Sequence, residues 1–158
     1  MYKKPKIVES RLKANPFIND FKINIRNVTD FHSFTKDGVN VKPKEYSAEV
    51  QKSTRVYLSA DQRDVVSLLK PNAQRLYLWI IYELTPNKDW IWINRVKYMK
   101  DNGKIKDART YNRSVDELCD CGFIAPVIRY KDVFYINPSI IFCGSRVEKY
   151  KDKLNIVK

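Results

Sequence analysis

The stretch from Trp90 to Tyr150 constrains this chain most, because alternating and helical spacings of apolar residues follow one another there in a fixed order. Trp90-Ile91-Trp92-Ile93 alternates like a short strand, and Asn94 is placed to cap a helix from Arg95 to about Lys100, which Asp101-Asn102-Gly103 ends. Beyond a basic turn, Tyr111, Val115, Leu118 and Cys119 recur at three- and four-residue intervals, predicting a second helix over roughly Asp107 to Cys121 with one buried stripe. Its opposite face carries Arg109, Asn112, Arg113 and Asp116. Asp107 is the expected N-cap, since its carboxylate satisfies orphan N–H groups and faces the positive helix end, and Gly122 stands where a left-handed terminator is needed.

From Phe123 onward, Ile124, Val127, Ile128, Val133, Phe134, Tyr135 and Ile136 make two β-rich segments around the turn Tyr130-Lys131-Asp132. Pro126 restricts the first of them to an edge. Strand, helix, helix and hairpin in this order is the signature of a winged helix-turn-helix. The expected fold class is therefore α+β: a winged helix-turn-helix domain over 59–146, an N-terminal β-rich extension with a basic arm over 1–58, and a basic tail over 147–158. Arg129 and Lys131 then lie at the tip of the wing.

Charge extends this expectation to a partner. Thirty Lys and Arg stand against eighteen Asp and Glu, a net +12, and the sequence pI of 9.6 exceeds the value of about 9 that flags nucleic-acid binding. Acidic proteins and membrane surfaces attract such a chain too. Between Arg95 and Arg113, Arg95, Lys97, Lys100, Lys104, Lys106, Arg109 and Arg113 oppose only Asp101 and Asp107. With Tyr111, Val115 and Leu118 supplying the buried face, these cations are expected to point outward, toward phosphates.

No apolar run approaches the roughly 20 residues of a membrane span, and MYKKPKIVESRLK has no hydrophobic region after its charges, so a soluble, non-secreted chain without a membrane partner is expected. Cys119, Cys121 and Cys143 lack both zinc-knuckle spacing and a nearby histidine, and are expected to be buried free thiols. Neither a metal nor another cofactor is expected. His32, between Phe31 and Ser33, reads as a packing residue, and no nucleophile–base pair stands at a recognisable spacing, so no enzymatic activity is expected.

Elsewhere the signals are local. Residues 1 to about 16 are basic, with Pro5 and Pro16 and no sustained period, and are expected to form an arm that is mobile unless a partner orders it, along a DNA groove or a neighbouring subunit. Phe17 to Val28 nearly alternates like a half-buried strand, Lys36-Asp37-Gly38 is a turn, and 48–58 is a second extended segment. Ser59 to Gln62 fits a capping box for a helix stopping before Pro71. A further helix from about Asn72 is apolar almost all round from Leu76 to Leu84, predicting that protein surrounds it. Asn137-Pro138 stops the wing strand, Ile140 to Phe142 is expected to be buried, and Val147, Tyr150 and Leu154 are at helical spacing in a tail that either frays or contacts a partner.

The segment Val133 to Arg146 resembles the end of the winged-helix domain in the RepL-type plasmid replication proteins of Gram-positive bacteria, through Tyr135, Ile136, Asn137, Pro138, Ile141, Phe142, Gly144 and, more loosely, Arg146. Ala108 to Leu118, followed by Cys-Asp-Cys-Gly-Phe-Ile, is similar to that family's recognition helix and its turn into the wing. The resemblance covers about 72–146. It implies a replication-initiator-like DNA-binding protein of a plasmid or phage, acting on double-stranded DNA in the cytoplasm of a bacterial host; the charge and face placements above make Arg95, Lys97, Lys104, Lys106, Arg109, Asn112, Arg113, Arg129 and Lys131 the expected DNA contacts. The alternative is a structural or protein-interaction protein that reuses the fold, forming a homo-oligomer or joining phage or plasmid replication or structural proteins, in a virion if phage-encoded. A metal-dependent nuclease is disfavoured by the lack of a carboxylate cluster.

Overall fold

A computed structural model of the chain describes residues 3–19, 21, 23–26, 35–36, 39–40, 54–56, 65–103, 105 and 107–157, and the architecture is mixed α+β. A short helical segment at 65–68 leads into α1, Pro71–Glu83. Pro71 is tolerated at N1 because the N–H it lacks would have no intrahelical partner there. The Lys70 N–H donates instead to Glu117 Oε1 at 2.7 Å, tying the start of α1 to a later helix. Ala73, Leu76, Tyr77, Trp79 and Ile80 are buried, but Leu78 and Tyr82 are 55% and 80% exposed. The expectation that protein surrounds this helix is thus corrected: positions 78 and 82, one turn apart, face away from the 73/76/80 stripe.

Strands β1 (Ile23–Arg26) and β9 (Leu154–Val157) pair in parallel, β2 (Thr35–Lys36) pairs with β3 (Val39–Asn40), and β4 (Thr54–Val56) pairs with β8 (Ile141–Cys143), both antiparallel. The tail is helical in two short pieces, α4 (Arg146–Lys149) and a 3-10 turn, Lys151–Lys153, and the helical spacing fails from Leu154 on, where β9 begins. Strand pairing satisfies the backbone of 154–157, which Leu154 in a helical register could not anticipate. The first strand is also shorter than expected: Phe17 lies in a 3-10 turn, Pro16–Ile18, and Phe21 packs with Phe142 and Tyr150. The expectations for His32, Asp37-Gly38 and the Ser59–Gln62 capping box lie outside the described residues.

A three-stranded antiparallel sheet in the order β5-β7-β6 organises the centre, from β5 (Trp90–Trp92), β6 (Ile124–Pro126) and β7 (Val133–Ile136). Pro126 is on an edge strand as expected. Successive side chains point to opposite faces. Ile91, Ile124, Phe134 and Ile136 join the helical core with Leu76, Ile80, Tyr98, Tyr111 and Leu118. Trp90, Val133 and Tyr135 face the other way, and Ile7, Leu12 and Phe17 pack against them.

The N-terminal segment is thus docked, which overturns the expectation of a mobile arm over the part of 1–16 that is described. Val8 donates its N–H to the Tyr130 hydroxyl at 3.3 Å, and the Tyr135 hydroxyl donates to the Lys13 carbonyl at 2.7 Å. Asn15, only 2% exposed, accepts from the Phe17 N–H through Oδ1 and donates through Nδ2 to the Ile136 carbonyl at 2.9 Å and to Asp89. Asn15→Ala is expected to cost about 1–2 kcal/mol by leaving the buried Ile136 carbonyl without its side-chain partner. Urea unfolding measures the cost, and faster trypsin cleavage at Lys13 locates it.

Candidate nucleic-acid interface

Two helices and the hairpin carry the basic residues singled out above. Helix α2 (Arg95–Asp101) starts where Asn94 Oδ1 accepts from the Lys97 N–H at 3.1 Å and stops at Asn102. Helix α3 (Ala108–Asp120) starts at Asp107, whose Oδ1 accepts from the Thr110 N–H at 2.6 Å. That bond holds the Asp107 carboxyl below its usual range, with nearby Arg109 adding to the effect. The end of α3 is a Schellman turn: Phe123 N–H donates to Leu118 O at 2.9 Å and Gly122 N–H to Cys119 O at 3.0 Å, with Gly122 at φ +74°. Asn137 fastens this turn to the end of β7, donating from Nδ2 to Gly122 O at 2.8 Å and from its N–H to Phe123 O at 3.0 Å. The Asn-Pro pair thus ties the helix to the hairpin as well as stopping a strand.

On α3, Tyr111, Ser114 and Leu118 are buried and Arg109, Asn112, Arg113 and Asp116 are turned outward or only partly covered. Val115 and Cys119 are only partly buried. Ser114 escaped the apolar pattern because it is polar, yet its hydroxyl is satisfied within the helix by Thr110 O at 2.9 Å. The outer face is electrically divided: Arg109 and Arg113 lie toward the N-terminus, Asp116, Glu117 and Asp120 toward the C-terminus. Arg113 and these three carboxylates line a groove of about 640 Å³ against Lys70, Asn72 and Ala73 of α1's first turn.

The remaining expected contacts divide. Arg95 is half-buried at the first position of α2. Lys97 is engaged internally: its Nζ is 2.6 Å from Glu83 Oε1 and 5.6 Å from the Trp79 ring centre, a link that required α1 and α2 to be adjacent. Lys104 and Lys106 lie outside the described residues. Arg129 and Lys131 are exposed on the turn between β6 and β7. That turn is wider than expected, closed by the Val127 N–H to Val133 O bond at 2.9 Å, with Asp132 at φ +58°. Val127 and Ile128 consequently belong to the turn and not to a strand, and Ile128 is 90% exposed.

Cys143 is buried and Cys119 partly so, but Cys121 is exposed just past the end of α3, correcting the expectation of three buried thiols. Burial, with Asp116 and Asp120 nearby, pushes the Cys119 thiol up to about 11, so it stays protonated at neutral pH. Among the described residues no group of three or more His, Cys, Asp or Glu is arranged to hold a metal ion, and no helix is long and apolar enough to cross a membrane. Comparison with protein-family models, curated proteins and solved structures finds no match to this chain.

Proposed function

We propose that the chain binds duplex DNA through a winged helix-turn-helix, with α2 and α3 as the helix pair, α3 as the recognition helix and the β6–β7 hairpin as the wing. The observation that carries this reading is the outer face of α3. Arg109, Asn112 and Arg113 are presented to solvent from its N-terminal half, the part of a recognition helix that contacts base edges. Arginine suits the guanine edge and asparagine the adenine edge in the major groove. The carboxylates farther along α3 favour that end staying away from phosphates. With the RepL-type resemblance, this makes a replication-initiator-like role on a plasmid or phage origin, in the bacterial cytoplasm, the preferred biological setting.

The test is duplex affinity as a function of salt. A steep negative slope of log affinity against log salt is expected, and a flat one would remove DNA binding from consideration. Replacing Arg129 and Lys131 together by Ala should weaken binding to all duplexes about equally and reduce the slope by roughly 2, one unit for each phosphate left without its cation. If that variant instead keeps its DNA binding and loses self-association or binding to another protein, the hairpin is an interaction surface and the structural-protein reading replaces this one.

A further inference from the structure

We propose that the docked N-terminal segment is itself part of the DNA-binding surface, turning the two cations of the hairpin turn into a basic ridge that follows one phosphate backbone. This rests on the DNA-binding reading above. Lys3 and Pro5 border a hollow of about 330 Å³ with Arg129, Lys131 and one carboxylate residue, Asp132, while Arg11 and Lys13 border one of about 270 Å³ with Val127, Ile128 and Arg129. Arg129 lines both hollows, so it is the shared border between Lys3 and Lys131 in one and Arg11 and Lys13 in the other.

The way the segment is fastened explains why these cations are presented outward. Its apolar residues Ile7, Leu12 and Phe17 are spent on the sheet, and its backbone is held at Val8 and Lys13 by Tyr130 and Tyr135. Lys3, Arg11 and Lys13 are left exposed, and among the described residues none of the five ridge cations is in an ion pair. The one carboxylate between Lys3 and Asn19, Glu9, is engaged by Lys88 at 2.9 Å, which holds its carboxyl low. A line of cations distributed along a strap matches a regular line of phosphates better than a compact acidic epitope. Docking also fixes the backbone that carries these charges before DNA arrives, removing part of the ordering cost of a free arm.

The deciding measurement is the salt dependence of duplex binding by the full chain and by Lys3→Ala/Arg11→Ala/Lys13→Ala, whose side chains are exposed and do not anchor the strap. The slope of the triple variant should be smaller by about 2 to 3, equally on a preferred and a random duplex, since each phosphate that is no longer neutralised removes about 0.9. A parent with a steep slope and a triple variant that retains it would overturn the ridge alone. A parent that does not bind duplex removes the DNA-binding reading and the ridge with it. A second variant, Ile7→Ala/Leu12→Ala, keeps every cation and loosens the docking. It should be cut faster by trypsin at Arg11 and bind more weakly. Parental affinity in a chain that is cut faster would show that docking does not organise the surface, and would also overturn the proposal.

Discussion

Trp79→Ala is expected to destabilise the chain by about 3–5 kcal/mol, through loss of the buried ring and the cavity it leaves. Trp79 sits on the inner face of α1, 9% exposed, and is locked from three sides. Its ring meets Tyr98 edge-on at 5.4 Å, its indole N–H donates to Asp101 Oδ2 at 3.0 Å, and the Lys97 ammonium that pairs with Glu83 lies over it. Tyr98 in turn touches Tyr111 of α3, so the residue couples all three helices. Trp79→Phe separates the contributions: it keeps most of the packing and removes the N–H donor, and should recover more than half of the loss. Urea unfolding of both variants reads the difference, and an alanine variant as stable as the parent would mean that α1 does not occupy this core.

Arg113→Ala should lower affinity for a preferred duplex by about 1–3 kcal/mol and relax selectivity at one base position. The residue is exposed on α3 one turn from Arg109, where a guanidinium fork can meet a base edge in two places. Arg113→Lys preserves the charge but not the fork, and should keep nonspecific binding while losing selectivity. The preferred site comes from selection out of a randomised duplex pool. Equal losses on selected and random duplexes would reduce Arg113 to a phosphate contact, and no loss on either would detach α3 from DNA.

Local chemistry was legible in the sequence and long-range pairing was not. Asn94, Asp107 and Gly122 announce the ends of α2 and α3 because capping depends on the residue itself and its nearest N–H or C=O groups. The β5–β7 pairing was also open to inference, from alternation in Trp90–Trp92 beside a strand-rich run. By contrast, the exposure of Leu78 and Tyr82 was hidden by composition, since an all-apolar helix does not say which neighbours are present. The docked arm did leave a trace in the residues of its partner strand. Val133-Phe134-Tyr135-Ile136 is buried at all four positions, and a strand with no polar alternation has both faces covered. Which segment supplies the second cover cannot be read from periodicity, because Ile7, Leu12 and Phe17 follow neither a helical nor a strand repeat.

The strap and the terminal strand pair also set an order of assembly. The bonds of Val8 with Tyr130 and of Lys13 with Tyr135 each close a loop of 122 residues, and Ile23 meets Leu154 across a comparable span. The α3–hairpin unit joined by Asn137 closes far sooner along the chain. Loop-closure entropy therefore favours the helices and hairpin forming first, with the strap and the β1–β9 ladder laid down last. In reverse, the strap is an early segment to release under stress, baring Trp90, Val133 and Tyr135 while the helical core is still intact. Such a half-opened state carries an uncovered aromatic sheet face, the kind of surface through which otherwise folded chains coalesce.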